Sequence, residues 1–157
     1  MEKIASFQVD HDKLERGIYV SRIDEYGGVK AVTFDIRMKK PNMGDYLTTT
    51  SAHTIEHLGA TYLRSSDIKD RVVYFGPMGC RTGFYVIFFG DITVEEAAKV
   101  ITGMFEFILS FEGDIPGAKR EECGNYEDLE LSCAKEEAEK YLEVLHNLTY
   151  ETMHYQG

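Results

Sequence analysis

Between Val29 and Arg37 the chain alternates: Val32, Phe34 and Ile36 fall on one face, and Thr33, Asp35 and Arg37 on the other. A period of two predicts a β-strand. The turn signal Tyr26-Gly27-Gly28 stands before it, and "GIYVSRI" (17–23) supplies a partner strand. Two apolar runs, "RVVYFG" (71–76) and "GFYVIFFG" (83–90), also have strand length. They flank "GPMGCRTG", whose glycines and Pro77 predict a loop.

Elsewhere the period lengthens to that of a helix. Val94, Ala97, Ala98, Ile101, Phe105 and Ile108 recur at helical spacing behind a Thr93–Glu96 capping box. A last helix is predicted with Ala134, Ala138, Tyr141, Leu142, Leu145 and Leu148 on one face. Between these two, "FEGDIPGAKREECGNYED" (111–128) has no period and reads as a loop. An earlier helix carries "SAHTIEHLGATYLRSS" (51–66), after the breaker "KKPNMGD" (39–45). Strands that pair early, with helices interspersed, predict an α+β fold. The expected architecture is a mainly antiparallel sheet with helices on one face, in a single domain over residues 1–157.

The earlier helix has two distinct faces. At about 100° per residue, His53, Glu56 and His57 share one side, near 0°, 300° and 40°. Leu58, Tyr62 and Ile55 gather on another, near 140–200°, and account for core packing without the histidines. Two imidazoles one turn apart can ligate a single divalent ion, and a glutamate beside them is placed to move protons. The alternative is a pair of solvated histidines on a polar face. The small residues that flank the candidate metal face imply that something other than the helix's core partner closes over it, a second subunit being one candidate.

Composition narrows the field. Lys and Arg number 17 against 27 Asp and Glu, a formal net charge of −10, which argues against a nucleic-acid partner. No apolar run approaches the roughly 18–20 residues of a membrane helix. The charged opening "MEKIASFQVDHDK" has no apolar core of a secretory signal, so a cytoplasmic location is expected. Three cysteines, an odd number, then stand as reduced thiols available for metal binding, catalysis or packing, rather than as a Cys80–Cys123 disulfide.

A third metal ligand is required, because catalytic sites commonly use three protein ligands and leave a position open. Cys123, in "EECGNY", is the best candidate, with Glu121, Glu122 and Glu127 as rivals. Cys133 lies beside the apolar stripe of the last helix and reads as packing. Cys80 sits among glycines, and Arg81 beside it would favour the thiolate; a plain cysteine in a turn is the alternative.

Taken together, "SFQVDH" (6–11), "FDIR" before "PN" (34–42), "HTIEHL", "PMGCRTGFY" and "ECGNY" resemble the LuxS family, the S-ribosylhomocysteine lyases, in order and spacing over nearly the whole chain. The resemblance implies an α+β homodimer with active sites at the subunit interface. It implies an Fe2+ site, with Zn2+ or Co2+ as substitutes and His53, His57 and Cys123 as ligands. It implies that S-ribosylhomocysteine is cleaved to homocysteine and 4,5-dihydroxy-2,3-pentanedione, the autoinducer-2 precursor, a step that also recycles the by-product of methyl transfer. Cys80 and Glu56 would be the proton carriers, and Ser6, His11 and Arg37 would line the substrate pocket. The chain departs from the family at Tyr74, where Asp is frequent, and at Glu127-Asp128, where a histidine precedes the Asp in many members. Two rivals stand beside this reading: an inverted HxxEH metallopeptidase with a carboxylate as third ligand, and a dimer whose metal is purely structural.

Overall fold

In the computed structural model, which describes residues 1–156, strands β1 (Gly17–Tyr26) and β2 (Val29–Arg37) form a hairpin. Its turn is Gly27-Gly28, with φ of 59° and 81°, a left-handed pair that glycine adopts without strain. Strands β3 (Val72–Pro77) and β4 (Gly83–Phe89) form a second hairpin around the Met78–Thr82 loop. The sheet order is β1-β2-β4-β3, with every neighbouring pair antiparallel.

Alternation sends Val32, Phe34 and Ile36 of β2 and Phe84, Val86 and Phe88 of β4 into one core. A bulge between Val72 and Tyr74 lets Val72 and Phe75 both reach that core, while Tyr74 turns to the opposite face across from Ile87. Three long helices cover the core: α2 (Thr49–Arg64), α3 (Val94–Ser110) and α4 (Leu131–Leu145), after a short α1 (Ala5–Gln8) near the N-terminus. The Thr93–Glu96 capping box forms, with both reciprocal bonds present. Gly59 lets α2 lie close against β3 and α3, since a Cβ there would stand 2.4 Å from the Phe75 ring and 3.0 Å from Met104 Sδ.

Several expectations need revision. The other sheet face is not simply solvated: Thr33, Asp35 and Arg37 are buried there. Their cover comes partly from the C-terminal tail, where the Tyr155 hydroxyl donates to Asp35 Oδ2 at 2.7 Å and its ring stacks on Tyr19. Residues 5–8, for which no element was predicted, form a helical turn. The last helix stops at Leu145, so Leu148 lies beyond it. Asn147 Nδ2 donates to the Glu143 carbonyl at 2.7 Å and closes the helix end, and mutual bonds between Thr149 and Thr152 turn the chain away. Leu148 still packs on the core from that turn.

The residues that follow β2 are tied to the loop that leads into β4. Both the Met38 and Lys39 amides donate to the Thr82 carbonyl at 2.9 Å. The Lys39 ammonium, with its side chain 4% exposed, reaches Glu137 Oε2 of α4 at 2.7 Å. No helix among the described residues is long and apolar enough to cross a membrane.

Candidate metal centre

Helix α2 begins at a Thr48 cap, whose side chain accepts the Ser51 amide at 3.0 Å. That start sets the phase of the helix. Ile55 and Leu58 are fully buried in the core, while His53, Glu56 and His57 are half-buried on another side. The aperiodic segment between α3 and α4 comes back over this polar side. The cover inferred for the metal face is therefore supplied, within one chain, by residues 116–130.

Hydrogen bonds pin that segment to α2 at four points. His53 Nδ1 lies 2.9 Å from the Asp128 carbonyl oxygen, and His57 Nδ1 lies 2.8 Å from that of Pro116. Thr50 donates to the Asp128 carboxylate, and the Thr54 hydroxyl accepts the Glu130 amide at 2.9 Å. A carbonyl oxygen can only accept, so Nδ1 of each histidine carries a proton. In the neutral ring Nε2 is then a free lone pair, the form a metal ligand requires. Gly117 makes the approach to His57 possible: its φ is 75°, and a Cβ there would stand 3.0 Å from His57 Nδ1.

Cys123 completes the group. Its Sγ lies 3.4 Å from His53 Nε2 and accepts the Asn125 amide at 3.4 Å. Ligand atoms of His53, His57 and Cys123 all lie within 4.8 Å of one another. Bonds of about 2.0–2.3 Å place neighbouring donors around a tetrahedral ion roughly 3.3–3.6 Å apart; the Cys123–His53 pair already stands at that spacing, and the group as a whole is close enough to hold one divalent ion. The rival third ligands Glu121, Glu122 and Glu127 are all exposed and do not join this group. A set of three donors leaves a coordination position free, the arrangement of a reactive site rather than a closed structural one.

Glu56 and His53 open onto a cavity of about 290 Å³, whose opposite wall is Pro77, Gly79 and Arg81. Cys80 lies on that same loop and is exposed; all three cysteines are free. Its chemical neighbour differs from the one the sequence suggested. Arg81, at φ 62°, turns away, donates to the Leu47 carbonyl at 3.2 Å and lies over the Tyr46 ring. The guanidinium on the Cys80 side is that of Arg37, which donates to Thr82 Oγ1 at 2.7 Å, and Thr82 Oγ1 lies 3.0 Å from Cys80 Sγ. Arg37 is itself buried in a bidentate pair with Asp35 at 2.6 and 3.0 Å, so it does not reach the pocket as a free cation. Cys133 is half-buried and donates to the Glu130 carbonyl; burial, then the Glu130 carboxylate, pushes its thiol up.

The remaining expected pocket residues lie at the N-terminus. Ser6 lines a second cavity, of about 280 Å³, with Thr33, Tyr74 and Tyr85 on the face of the sheet opposite the helices. His11 donates from Nδ1 to the Val9 carbonyl at 2.8 Å, which leaves Nε2 as its acceptor. The histidine-orienting residues Thr50, Pro116, Gly117 and Asp128 escaped the sequence reading. Only the Pro-Gly step hinted at a tight approach, and nothing local said what it approached.

Comparison with known proteins agrees with the geometry. A family model described as S-Ribosylhomocysteinase (LuxS) matches residues 4–151. The S-ribosylhomocysteine lyase of Borrelia garinii subsp. bavariensis is 48% identical over 156 residues, covering 99% of each chain. Those of Clostridium beijerinckii and Finegoldia magna are each 49% identical, again with 99% of each chain covered.

Proposed function

The chain belongs to the S-ribosylhomocysteinase (LuxS) family, and from that premise we propose that it is a metal-dependent carbon–sulfur lyase acting on S-ribosylhomocysteine. The products are homocysteine and 4,5-dihydroxy-2,3-pentanedione, the precursor of autoinducer-2. The observation that carries the reading is the joint placement of the His53–His57–Cys123 group, Glu56 and the Cys80 loop around one part of the molecule. A peptidase of the inverted type would need a carboxylate in place of Cys123, and the relatives' names do not point there.

The substrate dictates the residue types. Its sulfur sits on C5, too far from the C1 carbonyl for direct expulsion. The carbonyl must first migrate to C2 and then to C3. Each shift removes a proton α to a carbonyl and returns one to the neighbouring carbon. Loss of the C4 proton then expels the thiolate from C5. Fe2+, with Zn2+ or Co2+ as substitutes, would be held by His53, His57 and Cys123 and would supply Lewis-acid polarisation of the sugar oxygens.

The protein's own groups carry the protons. Cys80, exposed at the tip of its loop, serves as acid and base for the carbonyl shifts. Glu56, on the metal side of α2, handles the remaining transfers and the final elimination. Ser6 and His11 bind the substrate's polar groups, His11 through its free Nε2. Arg37, already paired with Asp35, acts on the pocket through Thr82 and Cys80. The family match further supports a homodimer with active sites at the interface, and the exposed Phe7, Tyr74 and Phe89 supply apolar surface for it. Free thiols that must stay reduced suit a cytoplasmic setting.

The test is thiol release from S-ribosylhomocysteine by anaerobically prepared, iron-loaded protein, read with a thiol-reactive dye. The parent releases homocysteine, and E56Q and C80A are nearly silent. Absence of release from folded, metal-replete parent overturns the reading.

A further inference from the structure

Cys80 does not meet a guanidinium directly. Between it and Arg37 stands a buried hydroxyl, that of Thr82, which is 2% exposed. A threonine hydroxyl has one proton and two lone pairs. Arg37 Nη1 donates into one lone pair at 2.7 Å, and a guanidinium is never an acceptor. Among the described residues the only other partner of Thr82 Oγ1 is Cys80 Sγ, at 3.0 Å. Among the described residues Sγ is the one acceptor within reach of the hydroxyl proton, so the arrangement that satisfies both the guanidinium and the hydroxyl has the hydroxyl donating to the sulfur.

The rest of the surroundings keep that direction. The Thr82 carbonyl is held by the Met38 and Lys39 amides, so its backbone cannot swing. Gly83, next to it, lets the strands approach closely, because a Cβ there would stand 1.9 Å from the Ile36 carbonyl oxygen. Arg37 is oriented by both oxygens of Asp35, which also accepts from Tyr155. The other titratable neighbours do not compete for the hydroxyl. Tyr85 keeps its proton, through burial and then the Asp35 carboxylate, and Arg81 is bonded to Leu47.

We propose that Thr82 is a positioning residue for Cys80: held by Arg37, its hydroxyl donates to Sγ and fixes the orientation of that sulfur on its loop. The functional consequence rests on the reading of Cys80 as a proton carrier, but the contact and its test do not. The test uses full-length protein and iodoacetamide, a neutral reagent that needs no substrate, with Cys80 alkylation followed by peptide mass mapping from pH 6 to 9.

The T82V variant keeps the side-chain shape and loses the proton. Its Cys80 is alkylated at least about tenfold more slowly at pH 7, the weight of one hydrogen bond to a charged group, and catches up with the parent at the alkaline end. The T82S variant, which retains the hydroxyl, follows the parent at every pH. A merely structural role would slow alkylation at all pH values or at none. Superimposable profiles for the parent and folded T82V overturn the proposal. Should T82V fail to fold, the parent itself answers. The buried Thr82 hydroxyl proton gives a slowly exchanging NMR resonance that moves when Cys80 is replaced by Ala, and a resonance indifferent to C80A is equally fatal. Lyase assays on the same samples separate this outcome from failure of the functional reading: a slow-alkylating T82V with an inactive parent leaves the hydrogen bond standing and removes only its catalytic use.

Discussion

Replacing Gly117 by Ala tests whether the histidine geometry depends on the backbone that covers it. Gly117 has φ 75°, where a Cβ clashes with its own carbonyl at a cost of about 1–2 kcal/mol. The added methyl would also stand 3.0 Å from His57 Nδ1 and 3.2 Å from Cε1. The ring cannot simply yield, because its Nδ1 proton is engaged by Pro116 at 2.8 Å, one residue earlier in the same loop. Moving it gives up that hydrogen bond, a further ~0.5–1.5 kcal/mol. Two separate effects follow. The metal-free protein loses about 1.5–3.5 kcal/mol, or roughly 3–14 °C in Tm for a domain of this size. Metal affinity falls about 10–100-fold, the usual consequence of disturbing a partner that orients a ligating histidine. Thermal denaturation of the metal-free protein measures the first, and chelator competition for Zn2+ at fixed pH measures the second. A G117A protein that binds Zn2+ within twofold of the parent would refute the claim that this loop orients His57.

Other consequences can be checked in the same way. Truncating Glu137 leaves the Lys39 ammonium buried beside only the exposed Asp45, so E137A loses about 3 kcal/mol in urea unfolding, whereas the double variant K39M/E137L stays within about 1 kcal/mol of the parent. Burial, followed by Asp35 and Glu15, pushes the Tyr19 phenol up to about 12, and burial likewise raises Tyr141 and Tyr155. The folded state thus holds these protons more tightly than the unfolded chain. Stability is intact below pH 10 and falls as pH rises towards 12, by about 1.4 kcal/mol at pH 11 from Tyr19 alone. Urea melts at pH 9 and 11 check this, and equal stabilities would contradict it. Mild peroxide followed by mass mapping oxidises the exposed Cys80 before Cys133, whose thiol is held by Glu130 and raised by burial; equal modification would count against that contrast.

Much of this molecule is written in local patterns. The period of two over Val29–Arg37 and the spacing from Val94 to Ile108 depend only on which face each residue presents to a core, and both elements form where the pattern places them. The His53–Glu56–His57 face is local for the same reason, since one turn of helix brings i and i+4 together whatever surrounds it. Where a residue's role depends on chain closure, the sequence could offer only candidates. Cys123, Glu121, Glu122 and Glu127 share one aperiodic segment, and the bonds from α2 to Pro116, Asp128 and Glu130 decide that the sulfur faces the histidines. Adjacency misled at Cys80. The left-handed backbone of Arg81 carries its side chain to Leu47, while strand pairing brings Arg37, 43 positions earlier, within one hydroxyl of the sulfur. The covered second sheet face likewise depended on a C-terminal tyrosine that no periodicity connects to Asp35. The sequence by itself determined the elements and the two-histidine turn, because these rest on interactions within a few residues. Only the tertiary structure decided the third ligand, the tautomer of each ring and the partner of the reactive thiol, because these arise from contacts between segments 40 to 120 residues apart.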